Sequence, residues 1–422
     1  MMRSLFSGVS GLRSHQSRMD VIGNNISNVN TVGYKSSRAT FQEIFSETLR
    51  GAGAPEGGRG GTNPQQIGLG ISLASIDTLH TRGSIESTGY PLDLAIEGNG
   101  FFIVSDGGAP KFTRAGNFIR DTEGNIVNGN GFRVLGWMAD ANGNIDTTVS
   151  PGTIQIPEGM AMQPKATSAI KMVGNLNADL PTGGVVPFET EIYDELGRKN
   201  KLSFELVKVN DNTWEIQERL SDPANPAVAG AVAVTRPDGT VESVSLGAAP
   251  TLTFVDGKLT SDGTFEIQVE PNLIPDPITV NIADVHQYAA ESGVDPLEVD
   301  GYALGSLEDF NFDASGVATG IFSNGQEKVI ARIALAAFNN PSGLQKVGSN
   351  LFIQTPNSGQ PSIGIAGDHG RGTINPSSLE MSNVDISKEF TDMIITQRGF
   401  QANSRIITTS DEMLQELVNL KR

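Results

Sequence analysis

The side chains best suited to proton or metal chemistry are few: His15, His80, His286 and His369, with no cysteine in 422 residues. Without thiols there can be no disulfide, thiolate metal centre or cysteine nucleophile. No two histidines stand at a ligand spacing such as His-x-x-x-His, so each reads as a structural or solvated ring, with His15 on the polar side of an N-terminal helix. Asp140-Ala-Asn-Gly-Asn144 has some calcium-loop character, but an EF-hand places its glycine sixth and here it stands fourth. That segment and Asp121-Thr-Glu-Gly-Asn125 read instead as hairpin turns. Gly68-Leu-Gly-Ile-Ser72 and Gly98-Asn-Gly-Phe-Phe102 do not lead into helical patterns, which argues against phosphate loops. Gly83-Ser-Ile-Glu-Ser87 and Gly8-Val-Ser-Gly-Leu12 lack the second glycine of a nucleophile elbow. Carboxylates are plentiful, but no spacing singles out a catalytic pair. The residues support no enzyme, no metal and no cofactor.

Composition narrows the partners. Lys+Arg 30 against Asp+Glu 48 leaves a net charge of −18, which repels nucleic acid and anionic membrane. No run approaches the roughly 20 apolar residues of a membrane helix, so no membrane insertion is expected. The first residues contain no continuous apolar h-region, because Ser7, Gly8, Ser10, Gly11, Arg13 and Ser14 interrupt it. Export, if it occurs, would need a route without a cleaved signal. The length suits about two to four domains. Gly 49 and Pro 21 imply many turns, and the glycine-rich run Gly51–Gln66 reads as a mobile or poorly packed loop.

The strongest periodicities lie at the two ends. Leu5, Leu12, Met19 and Ile26 recur every seventh residue, with Val9, Ile22 and Val29 beside them. At about 1.5 Å per residue, Leu5 to Val29 would make a helix of roughly 36 Å. Gly8, Gly11 and Gly23 weaken it alone, yet permit close approach of a neighbouring helix. Near the other end, Ile386, Met393, Phe400, Ile407 and Leu414 repeat the spacing, and Phe390 and Leu417 widen the stripe. Asp385 and Ser387 followed by Lys388 and Glu389 mark a helix start, and Lys421 and Arg422 suit its end. Each helix could pack on a globular core. A sustained repeat at both ends favours pairing with each other and with other copies.

Between the ends the chain alternates short β-like runs with Gly/Asn/Asp turns, including corners at Asp194–Gly197 and Asn210–Asn212. The expected fold is mainly β with terminal α-helices. Its β domains are nested and discontinuous, and its N- and C-terminal helices pair as an axial coiled-coil core. The boundaries are 1–30 with 384–422 for the helical core and 31–70 with 366–383 for a connecting region. An inner β domain takes 71–164 with 286–365, and an inserted outer β domain takes 165–285.

The segment Leu5–Lys35 resembles the N-terminus of bacterial flagellar axial proteins, the rod and hook group. Its most specific part is Val21-Ile-Gly-Asn-Asn-Ile-Ser-Asn-Val-Asn-Thr-Val-Gly-Tyr-Lys35, holding Gly23, Asn24, Asn25, Ile26, Ser27, Asn28, Gly33, Tyr34 and Lys35. Residues 382–422 are similar to the same group's C-terminus, and "LDLAIEGNGFFIV" and "TRAGNF" to its first β domain. The long insert over 165–285 points to the hook branch; a distal rod protein with an insertion and a hook-associated relative are the alternatives. A secreted β-rich adhesin would explain the acidic middle but not the paired ends.

The resemblance implies a homopolymeric tube between motor and filament, outside the cell, made of subunits exported unfolded by the flagellar type III apparatus. It also implies the distal rod, hook cap and hook–filament junction proteins as partners. Phe41-Gln-Glu-Ile-Phe45 looks like the Phe-x-x-x-Phe element associated with the export gate, or else two aromatics on one face of a short helix. The seams are expected to fray in a lone subunit, since single-striped helices gain most of their stability from packing. The asparagine-rich segment is expected to stop the first helix and turn the chain outward, with Gly23 and Gly33 lending backbone freedom. Family members that cross-link through cysteine use a chemistry closed to this chain.

Overall fold

The computed structural model describes residues 2–55, 60–218, 230–246, 250–269, 274 and 277–420. Two long helices, α1 (Met2–Ser27) and α2 (Ile386–Asn419), bracket a chain that is otherwise β-strand and turn. It divides into two compact units. The first comprises Met1–Glu158, Phe310–Gly320 and Lys328–Arg422, and the second Gly159–Asp309 and Ile321–Glu327.

In the second unit, polar and apolar residues alternate along strands that bury one face. Val185–Tyr193 shows this alternation over nearly its whole length and pairs antiparallel with Lys199–Asn210 in unbroken register. Their connection is the expected corner, with the Gly197 amide donating to the Asp194 carbonyl at 2.9 Å and Gly197 at φ +76°. Ala169–Asn177 runs parallel to Ile278–Tyr288, a pairing that joins strands far apart in sequence. Trp214, Phe188, Phe204 and Phe254 fill the core beneath these strands.

In the first unit, Phe101–Ser105 is buried at all five positions, so it reads as a continuous apolar run rather than an alternating one. It pairs with Lys111–Thr113, Arg133–Met138 and Leu335–Ala337. Phe101, Phe112, Phe338 and Phe352 meet edge to face around it. The returning chain closes the unit: Thr373–Pro376 pairs with Leu94–Glu97, and Ser378–Glu380 with Ile85–Ser87. The turns at Asp121 and Asp140 are Asx turns, each aspartate accepting from the amides two and four residues on.

Several expectations change. Helix α1 runs through Asn24–Ser27 and ends there, so Val29 lies in the following turn rather than on a helical seam. Gly23 is an ordinary helical position; Gly33, at φ +67°, carries the left-handed step. Phe41 and Phe45 sit in no helix. Ser37–Glu43 pairs with Ile71–Thr78 and Ser46–Arg50 with Gln65–Gly68, making a two-stranded ribbon that packs on α1. Its pairing extends to a bridge between Gly53 and Thr62, so the run Gly51–Gln66 is in part the ribbon's end, with residues 56–59 outside the described set. Period-two alternation is weak there because both ribbon faces are largely exposed.

Gly116 shows how little slack the first unit has. A Cβ there would meet the Leu94 carbonyl, a backbone atom that cannot rotate away. Gly116→Ala should destabilise this unit by about 1–3 kcal/mol, with faster amide exchange in Leu94–Glu97 and Phe101–Ser105. Unchanged exchange in both strands would show the contact to be slack.

Candidate functional site

The two helices lie antiparallel. Ser4 Oγ stands 3.5 Å from Ser410 Oγ, and an Arg18 guanidinium nitrogen donates to Asp392 Oδ1 at 3.0 Å. Between these ends, Gly8 faces Ile407 and Asn403, Gly11 faces the Asn403 side chain, and His15 lies over Gly399. A Cβ on Gly11 would sit 2.7 Å from the Asn403 amide. The intramolecular seam is therefore built largely from small and polar residues that let two backbones approach closely, with Ile406 and Ile407 against Gly8. It repeats every seventh residue as well, through Ser4, Gly11 and Arg18, but in residue types an apolar-seam search passes over.

Of the apolar stripes read from the sequence, Ile407 faces Gly8 within this seam. On α1, Ile22 is buried, while Leu5, Val9, Leu12, Met19 and Ile26 are half-buried. On α2, Met393, Phe400, Ile407 and Leu414 are half-buried, and Ile386 and Phe390 are exposed; the side chain of Leu417 lies outside the described residues. Ile394 and Ile395 are 58% and 55% exposed, and Ile406 and Met413 are exposed too. Helix α2 thus presents a long uncovered apolar face. Its start is as expected, Asp385 capping the first turn by accepting from the Lys388 amide at 3.2 Å.

The asparagine-rich motif works as a clasp. The Asn25 amide donates to the Ser37 carbonyl at 2.8 Å and accepts from the Ser37 amide at 2.9 Å, fixing where the chain leaves the helix. The Tyr34 hydroxyl donates to Asn25 Oδ1, and Asn24 donates to that hydroxyl, each at 3.2 Å. Asn28 bonds back to the Asn24 carbonyl, and Ser27 to that of Gly23. The Gly33 amide donates to the Glu380 carbonyl at 2.7 Å, and any Cβ on Gly33 would strike the backbone of Ala115.

Lys35 is wholly buried. Its Nζ donates to Glu380 Oε1 at 2.7 Å and to the Thr81 carbonyl at 2.8 Å. Arg114, within "TRAGNF", donates to Glu380 Oε2 at 3.2 Å and to the Ile96 and Gly98 carbonyls. The Gly83 amide completes the carboxylate's partners at 3.0 Å. One buried carboxylate therefore holds the end of the N-terminal motif, the strand Leu94–Glu97 through Arg114, and the returning C-terminal chain. Burial pulls the Lys35 and Arg114 pKa values down, with Glu380 opposing it in both. Sequence reading found Lys35 and "TRAGNF" but not Glu380, which belongs to no local pattern.

His80 lies beside this cluster, its ring 5.6 Å from Phe101 and 5.5 Å from Phe352. Neither ring nitrogen meets a hydrogen-bond partner among the described residues. Burial, then the positive charges of Lys35, Arg114 and Lys346, lower its pKa to about 4. His15 is lowered as well, by burial and by Arg18. His369 is exposed beside Asp368. Among the described residues no group of His, Asp or Glu is arranged to hold a metal.

Four family models match this chain. The flagella basal body rod protein model covers residues 5–35, the flagellar hook protein FlgE/F/G D1 domain 95–177, the flagellar basal body protein FlaE D2 domain 164–302, and the flagellar basal body rod FlgEFG protein C-terminal model 375–420. The flagellar hook protein FlgE of Borreliella burgdorferi is 40% identical across the whole of both chains, and that of Treponema pallidum 38% across the whole of both. The flagellar basal-body rod protein FlgG of Bacillus subtilis is 34% identical over the same extent. The crystal structure of the Helicobacter pylori hook protein FlgE2 shares the fold, with TM-score 0.51 at 17% identity, covering 70% of this chain and all of that one. The chain belongs to the flagellar rod and hook protein family. Within it, this is a structural, non-enzymatic subunit of the flagellar hook, a component of the extracellular flagellum. No helix among the described residues is long and apolar enough to cross a membrane.

Two measurements probe the anchor. Glu380→Gln leaves two buried cations short of their counter-charge and should cost about 3–5 kcal/mol of unfolding free energy; a loss under 1 kcal/mol would remove the carboxylate from its central place. For His80 the folded pKa lies below the unfolded value of 6.5, so the folded state binds fewer protons. Stability is complete above pH 6.5 and falls as pH drops toward 4, by about 3 kcal/mol in all. Urea titrations at pH 7 and pH 4 should differ by that much more in the wild type than in His80→Phe.

Proposed function

We propose that the chain polymerises through its terminal helices into a bendable tube. The observation that carries this reading is the uncovered apolar face of α2, Ile386, Phe390, Ile394 and Ile395 among its members, on a helix already paired through its other side. Fully burying a side chain of this size contributes about 1.5–3 kcal/mol, so the stripe is a strong drive to association. The half-buried residues Leu5, Val9, Leu12, Met19 and Ile26 on α1, with Met393, Phe400, Ile407 and Leu414 on α2, complete the seam in this reading.

The tube would connect motor to filament, meeting distal rod, hook cap and hook–filament junction proteins, with subunits leaving the cell through the flagellar type III apparatus. Phe45, 74% exposed in the short break between two ribbon strands, is open to such an export contact, whereas Phe41 meets the His15 ring edge to face. We assign residues 165–285 to an outer domain and 71–164 with 286–365 to an inner one. Residues 31–70 with 366–383 form the connection to the helical core of 1–30 and 384–422. Stiff β domains would slide as the tube turns while the connecting ribbon takes up strain.

Purified chain should form tubes visible by electron microscopy, with a gain in helical circular dichroism on assembly. Ile394→Lys combined with Ile395→Lys should raise the polymerisation threshold about 100-fold or more while leaving the monomer folded. Tubes forming at the wild-type threshold would refute the assignment of this face.

A further inference from the structure

Between α1 and the ribbon lies a groove of about 450 Å³ lined by Phe6, Val9, Ile44, Leu69 and Leu73, with Arg13 at its edge. Phe6 and Ile44 are exposed, and among the described residues Arg13 meets no carboxylate. An apolar trough with an unpaired guanidinium suits an amphipathic helix bearing acids beside its apolar positions.

Helix α2 ends in such a segment. Because Ser4 faces Ser410 and α1 starts at Met2, the last two turns of α2 run past the start of its partner. Met413, Glu416 and Leu420 fall at i, i+3 and i+7 on one face, with Glu412 beside them. Met413 is 46% and Leu420 80% exposed. From Ile406 to Leu420 the chain carries Asp411, Glu412 and Glu416 and no basic residue. Arg13 is the one charged residue lining the groove, and its charge is opposite in sign to that of the tail.

We infer that the groove of one subunit receives the α2 tail of a second copy, Met413 and Leu420 entering the trough and Glu416 pairing with Arg13. This rests on the self-assembly reading and names the contact it uses. Tail and groove are different surfaces, so the contact is heterologous and propagates from copy to copy instead of closing a dimer. It also separates two roles on α2: the face carrying Ile394 and Ile395 packs laterally, and the overhanging tail sets the direction of growth.

The test uses the full chain and its polymerisation threshold, read by sedimentation and electron microscopy. Arg13→Glu should raise the threshold about tenfold or more, as should Glu412→Arg with Glu416→Arg, and joining the three should bring it back to within about threefold of wild type. The chain has no native cysteine, so Val9→Cys with Met413→Cys offers a second readout. The two positions lie too far apart along the antiparallel pair to bond within one chain. Mild oxidation of the polymer should therefore give a ladder of covalent multimers. Tubes that form at the wild-type threshold with Arg13→Glu, or that show no ladder on oxidation, would overturn the contact and leave hook assembly standing. A wild-type chain that stays monomeric at every concentration would overturn both.

Discussion

The first unit is organised around one buried carboxylate. Glu380 accepts from Lys35, Arg114 and the Gly83 amide, and its own backbone carbonyl accepts from Gly33. Removing one charge of such a group strands the others in a medium that cannot solvate them. The arrangement therefore tolerates little displacement of any of its chain segments. It ties together the place where the chain leaves α1, the strand pair of Leu94–Glu97 and Thr373–Pro376, and the approach to α2. The Asn25 clasp on Ser37 supports it from the helix side.

The helix pair follows a different logic. Glycines at 8, 11 and 399 and polar residues such as Asn403 and Ser410 bring α1 and α2 together using few of their large apolar side chains, Ile407 against Gly8 among them. Phe390, Ile394 and Ile395 stay exposed. Pairing is thus compatible with further association. Had Ile394, Ile395 and Phe390 been turned inward instead, the single chain would be more self-sufficient and less able to join a polymer.

The second unit shows the ordinary economy of antiparallel β structure. Buried and exposed residues alternate along Val185–Tyr193, tight glycine turns link the strands, and one aromatic-rich core lies beneath.

Much of this was legible in the chain itself. The motif ending in Gly33-Tyr34-Lys35 carried the resemblance to flagellar axial proteins, while seven-residue repeats at both ends and turn residues between alternating runs pointed to terminal helices and a mainly β middle. These features are local, and local sterics and periodicity decide them. The tertiary structure alone decided what depends on distant partners. It showed Glu380 between Lys35 and Arg114, a ribbon where Phe41 and Phe45 had suggested a short helix, and an intramolecular seam of glycine, serine and asparagine beside the apolar stripes. The reason is physical: a buried charge declares itself only through the groups that surround it, and a helix with two usable faces does not reveal from its own periodicity which one its neighbour will take.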